Sequence, residues 1–124
     1  MTTAEIEELI AAARAAEQTG GDDGIAAWRK VVRAAPAVPA HWDALARLHR
    51  EAKRWNGLVK VLEEELRSIP DLDLDEKVRI LHEVVAIYRD RLQLTARVAS
   101  ALQQLLKLRP GDHEAAAALA SLRR

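Results

Sequence analysis

The chain has 124 residues, enough for one small domain that buries roughly two-thirds of the surface its unfolded form exposes. A hydrophobic content of 49% with 31% charged residues excludes a disordered chain, and Arg, Glu or Lys interrupts every long apolar run, which excludes a membrane-spanning helix. Nineteen basic residues balance nineteen acidic ones and cysteine is absent, so phosphate-driven nucleic-acid binding, thiolate catalysis and disulfides all lack support.

The opening MTTAEIEELI has no basic segment followed by an apolar one, so no secretory signal is visible. The lack of cysteine fits a cytoplasmic protein, and the preference for Ala, Leu and Arg over Ile and Lys points to a GC-rich bacterial gene. Thr2 and Glu5 form a capping box ahead of a first helix with Ile6, Leu9, Ile10 and Ala13 on one face. The stretch TGGDDG, Thr19 to Gly24, breaks that helix as a turn. A second helix runs from Ile25 to Ala34 with Trp28, Val31 and Val32 on its buried stripe. Pro39 opens a third, where its missing N–H is not needed, and Trp42, Leu45 and Leu48 form the apolar stripe. A fourth carries Leu58, Val61, Leu62 and Leu66 and stops at Pro70. Asp73 and Glu76 form a second capping box before a helix through Ile80, Val84, Ile87 and Tyr88. Thr95 caps a sixth helix with Val98, Leu102, Leu105 and Leu106, and Asp112 caps a seventh, HEAAAALASLRR. No segment alternates with a period of two, so the expected fold is all-α, with seven helices.

Prolines measure the repeat. Pro36 to Pro70 is 34 residues, a shift that also carries Ile25 onto Val59, Trp28 onto Leu62 and Val32 onto Leu66. Pro70 to Pro110 is 40 residues, carrying Leu58 onto Val98, Leu62 onto Leu102 and Leu66 onto Leu106. The preceding helix matches at a shift of 39, which moves Trp42 onto Leu81, Leu45 onto Val84 and His49 onto Tyr88. The third unit thus has five additional residues before its first helix and one between its helices. Shifting Pro36 onto Pro110 carries Leu45 onto Leu119 and Leu48 onto Leu122, so the seventh helix is the first half of a fourth unit.

Trp42-Asp-Ala-Leu45-Ala46-Arg-Leu-His49, then Leu58-x3-Leu62, then Pro70, resembles the tetratricopeptide repeat, whose pattern is W-x2-L-G-x2-Y, A-x3-F and P over 34 residues. Ala46 stands for the small glycine, His49 for the tyrosine, Leu58 for the small alanine where the helices touch, and Lys53 for the usual turn glycine. The resemblance covers nearly the whole chain as degenerate units over about residues 3–36, 39–70 and 73–110, with a half-unit at 112–124, in a single domain. It implies a right-handed α-solenoid of antiparallel helix pairs. Trp42 and Trp55 read as core residues filling the wedge between helices, Trp55 with the stronger alternative of a stacking surface because it lies at a turn.

The run Asp71-Leu-Asp73-Leu-Asp75 lacks the glycine and closing glutamate of a calcium loop. His41, His49, His82 and His113 have no ligand spacing, so no metal or cofactor is expected. With no thiol, no G-x-S-x-G motif and no phosphate-cradling glycine loop, the chain does not read as an enzyme. What the resemblance implies is a concave groove lined by the first helix of each pair and open to peptides. The positions carried over are Asp43, Arg47, Arg50 and Glu51 in one unit and Arg79, His82, Ala86 and Arg89 in the next. Four arginines suit an acidic segment because guanidinium donates two parallel hydrogen bonds to a carboxylate; intrahelical pairs such as Arg47–Glu51 are the plainer alternative. The family's clamp for a terminal carboxylate uses Lys and Asn, which these positions lack.

The expected function is a noncatalytic interaction or scaffold module that binds a protein or peptide, with no nucleic acid and no membrane. The alternative is a self-assembling helical element. An uncovered half-unit would leave Leu119, Leu122 and several alanines to pair with a second copy, giving a monomer or a weak homodimer, unless the chain is part of a longer array.

Overall fold

The computed structural model describes residues 1–123, which form seven α-helices and no strand. They are α1 (Thr3–Ala16), α2 (Gly21–Ala34), α3 (Pro39–Glu51), α4 (Trp55–Ser68), α5 (Leu74–Ala86), α6 (Thr95–Leu108) and α7 (His113–Leu122). A π-helical turn, Ile87–Arg91, prolongs α5. The chain divides into two compact units, Met1–Pro70 and Asp71–Arg124. In the first, α1 packs on α2, α2 on α3 and α3 on α4; in the second, α5 packs on α6 and α6 on α7.

Most helix ends follow from local chemistry. The Thr2 hydroxyl accepts the Glu5 amide at 3.2 Å while the Glu5 carboxylate accepts the Thr2 amide at 3.3 Å, so two of the amides at the helix start are satisfied reciprocally. Pro39 is the first residue of α3. Asp112 caps α7 by accepting the Ala115 amide at 3.0 Å. Three expected starts differ. Helix α2 begins at Gly21 rather than Ile25, because Asp22 and Asp23 are stable in a first turn, where the helix end is positive. Only the residues just before it, with Gly20 at φ 148°, form the break. Asp73 stands at the N-cap of α5 but its side chain accepts no capping bond; Glu76 pairs with Arg79 instead. Thr95 lies inside α6, and Leu94 occupies the N-cap without a side-chain bond.

Backbone geometry reproduces the register of the repeat. Ala35, Ile69 and Arg109, each before a proline, share φ near −130° with ψ of 75°, 77° and 84°, since proline drives the preceding residue out of the helical region. The turns inside the second and third units place Lys53 at φ 56° and Gln93 at φ 53°. Both therefore sit in the left-handed region that the glycine of the family pattern would occupy without cost. The Arg54 amide donates to the His49 carbonyl at 3.0 Å, and the Leu94 amide to the Tyr88 carbonyl at 2.9 Å. The second closure spans one more residue than the first. The π-turn at Ile87–Arg91 is where the chain absorbs that inserted residue.

The core follows most of the expected stripes, although Ile6, Leu9, Ile10 and Leu106 are only half-buried, and it departs from expectation at three further places. Trp28, Val31, Val32, Trp42, Leu45, Leu48, Leu58, Val61 and Leu62 are all buried, and the Trp42 indole donates to the Pro36 carbonyl at 2.8 Å. Trp55, by contrast, is only half-buried at the start of α4, so it does not fill the wedge as Trp42 does. Close approach of α3 and α4 falls on Gly57 rather than at Leu58: a Cβ there would stand 2.5 Å from His49 Nδ1. Leu66 is half-buried while its neighbour Glu65 is 1% exposed. In the second unit Ile80, Val84, Ile87, Tyr88, Val98, Leu102, Leu105 and Leu119 are buried.

Candidate functional site

The expected contact residues lie on two helices in two units. On α3, Asp43, Arg47 and Arg50 are spaced i, i+4, i+7 along one exposed face. Arg47 is held by its own chain. It forms an ion pair with Glu17, just beyond α1, and donates to Glu51 at 3.2 Å. Glu17 also accepts the Trp28 indole N–H at 3.0 Å, so one carboxylate ties the end of α1 to α2 and α3. The hydrogen bond from Arg47, with that from Trp28 adding to it against partial burial, holds the Glu17 carboxyl below its ordinary range.

In the second unit, Arg79, His82, Ala86 and Arg89 follow one face of α5 and its π-turn. His82 and Arg89, with Ala86 between them, line a cleft of about 240 Å³; Arg79, one turn earlier, lies outside it and holds Glu76. Leu102 of α6 and Val85 supply apolar lining. The opposite wall is α7, through Glu114, Ala115 and Ala118. These last three were not expected from the sequence. Shifted by the distance from Pro36 to Pro110, they fall on Ala40, His41 and Ala44, whereas His82, Ala86 and Arg89 fall on Asp43, Arg47 and Arg50. The cleft thus joins two different faces of successive first helices, and only one of those faces was read in advance.

Polar groups at the cleft are largely committed. His82 Nε2 lies 2.9 Å from Asp112 Oδ2, and Asp112 Oδ1 accepts the Ala115 amide. The amide bond, then the histidine, holds the Asp112 carboxyl below its usual range. An ionised carboxylate only accepts, so Nε2 carries the proton in this pair. Asp90 accepts from Arg89 Nε and from one of its terminal nitrogens, at 2.9 and 3.1 Å. Glu114 has no hydrogen bond or ion pair among the described residues, although its charge is felt by Arg89. A histidine held by an aspartate resembles part of a hydrolytic relay, but the cleft lining has no hydroxyl, thiol or amine to act as nucleophile. The described residues contain no group of three His, Cys, Asp or Glu side chains placed to hold a metal. No helix among them is long and apolar enough to cross a membrane.

Leu119 and Leu122, expected on an uncovered stripe, are placed differently. Leu119 is 8% exposed and belongs to the core, while Leu122 is half-buried. Exposed positions on α7 are instead Ala116, Ala117, Ala120 and Ser121, with His113 and Glu114 at its start.

Over its whole length the chain superposes on solved helical proteins. The N-terminal domain of stress-induced protein-1 from C. elegans matches with a TM-score of 0.69 at 15% identity, covering 99% of this chain and 100% of that one. The fold is a tetratricopeptide-type helical repeat. A mutant of the Thermobaculum terrenum O-GlcNAc transferase matches with a TM-score of 0.51 at 23% identity, over 98% of this chain but 23% of that chain's length. No family model matches the sequence, and no curated protein matches it. Within the tetratricopeptide-type frame, α3, α5 and α7 are first helices, and the cleft lies between two of them.

Proposed function

We propose that this chain is a noncatalytic protein-interaction module that receives a segment of a partner protein on the exposed faces of its first helices. The cleft between α5 and α7 is the observation that supports the reading. At about 240 Å³ it falls below the roughly 300–1,000 Å³ of small-molecule and cofactor sites. Its small alanine walls suit one inserted side chain of a peptide or helix. An acidic partner has weaker support than the arginine count suggests. Arg47, Arg79 and Arg89 each hold a carboxylate of this chain, which offsets the charge an acidic segment would seek.

The test is selection from a random displayed peptide library against the intact chain and against Ala118→Trp, which fills the cleft. Peptides that bind the first and not the second support the module. Enrichment that ignores the filled cleft, or no enrichment, removes it.

Self-assembly is the second reading, carried by the small exposed side chains Ala116, Ala117 and Ala120, which would let a second helix approach closely. Mass in solution at rising concentration separates a weak homodimer from a monomer.

A further inference from the structure

We infer that the α5–α7 cleft selects a segment in which a basic residue neighbours an apolar one. This rests on the reading that the cleft receives a partner segment. Of the charged groups at its walls and just beside them, Arg89 and the adjoining Asp112 are already matched at contact distance. The Arg89 guanidinium is held in a two-point clasp by Asp90, at 2.9 and 3.1 Å. Asp112 has spent one oxygen on the Ala115 amide and the other on His82. Glu114 is left with no hydrogen bond or ion pair among the described residues, only the longer-range field of Arg89. A cation entering the cleft therefore meets a carboxylate without breaking any contact. An anion would meet only the remaining N–H groups of Arg89, whose charge Asp90 already offsets, while approaching the carboxylates of Glu114 and Asp112.

The usual attraction of a helix N-terminus for anions does not reverse this preference. The first-turn amide of α7 at Ala115 is already taken by Asp112, so the chain's own carboxylate fills that place. The apolar half of the recognition comes from Leu102 with Ala86 and Ala118 beside it. Alanine walls leave room for an aliphatic side chain. On α7, Glu114 and Ala118 lie one turn apart on the same face, so the cation and the anchor sit close together along the bound segment.

The experiment pans a random displayed peptide library on the intact chain, on Glu114→Gln, on Glu114→Lys and on two filled clefts, Ala118→Trp and Ala86→Met. Thermal unfolding identifies which variants keep the fold. Sequences that depend on an open cleft are expected to place Lys or Arg beside Leu, Ile, Val or Met. A synthetic peptide of the enriched sequence should bind Glu114→Gln roughly tenfold more weakly, the scale of one charge-assisted hydrogen bond. Panning on Glu114→Lys should enrich Asp and Glu instead. If cleft-dependent peptides are acidic or neutral, or if Glu114→Gln binds them equally well, the inference falls and the interaction reading survives. If nothing enriched depends on either filled cleft, both fall.

Discussion

His49 and Gly57 face each other in close contact between α3 and α4: a Cβ added to Gly57 would fall 2.5 Å from His49 Nδ1 and 2.6 Å from Cε1. Glycine here is a spacing residue, because its backbone is ordinary right-handed helix and no positive φ requires it. The histidine ring is 8% exposed and has little room to retreat. Gly57→Ala should therefore destabilise by about 1–3 kcal/mol through overpacking. In a His49→Ala background the same change should stabilise by up to about 1 kcal/mol, since alanine is the better helix former. Denaturant unfolding of the four chains checks this. An equal gain in both backgrounds would mean that the ring does not set the spacing.

Lys53 and Gln93 hold left-handed backbone at equivalent turns, φ 56° and 53°. Left-handed conformation costs an L side chain about 1–2 kcal/mol, which glycine avoids, although its freer unfolded chain returns part of that gain. Lys53→Gly and Gln93→Gly should each raise stability by about 0.5–1 kcal/mol, and additively, because the turns lie in different units. A loss of stability in either would show that the side chain contributes more than the backbone strain removes.

That pair also shows what was legible in advance. The family pattern marked Lys53 as the glycine position, and the 39- and 40-residue shifts of the two helices marked one inserted residue between them in the third unit; the structure has the left-handed turn and the π-turn at those places. Helix count and buried stripes were legible because period and proline spacing report them directly. Side-chain partners were not. Arg47, read as a ligand contact or as the partner of Glu51, also holds Glu17, 30 residues away, and chain spacing has no information on such a pair. Glu65 was missed although the 34- and 40-residue shifts put it on Val31 and Leu105, both fully buried. The apolar stripe Leu58, Val61, Leu62 and Leu66 left it out because it is charged, whereas the repeat register points inward. Register was the better guide.

Glu17 makes a pH-dependent contribution that can be isolated. Its folded carboxyl is held below the ordinary value of 4.5, first by the Arg47 hydrogen bond. The unfolded chain thus takes up a proton more readily, and the stabilisation is complete above the ordinary value and lost as pH falls through the lower folded one. Glu17→Gln should be less stable at neutral pH by about 1 kcal/mol. The gap between the two proteins should close as the pH falls below the ordinary carboxylate value and through the lowered folded one. A gap that stays constant over that window would assign the effect to shape, not to charge.

Leu119 and Ala120 separate a core role from an assembly role on α7. Leu119 is 8% exposed, so Leu119→Glu places a charge inside the unit and should cost several kcal/mol, about the 2–5 typical of emptying or polarising a core leucine site. Ala120 is exposed, so Ala120→Glu should leave stability within about 0.5 kcal/mol of the original. If copies pair through the small face of α7, Ala120→Glu lowers the mass measured by light scattering without loss of helicity. Leu119→Glu, in contrast, lowers helicity and thermal stability whatever the assembly state. A chain that is monomeric at high concentration, with Ala120→Glu indistinguishable from it, would leave Leu119 as a core residue and end the pairing of copies through α7.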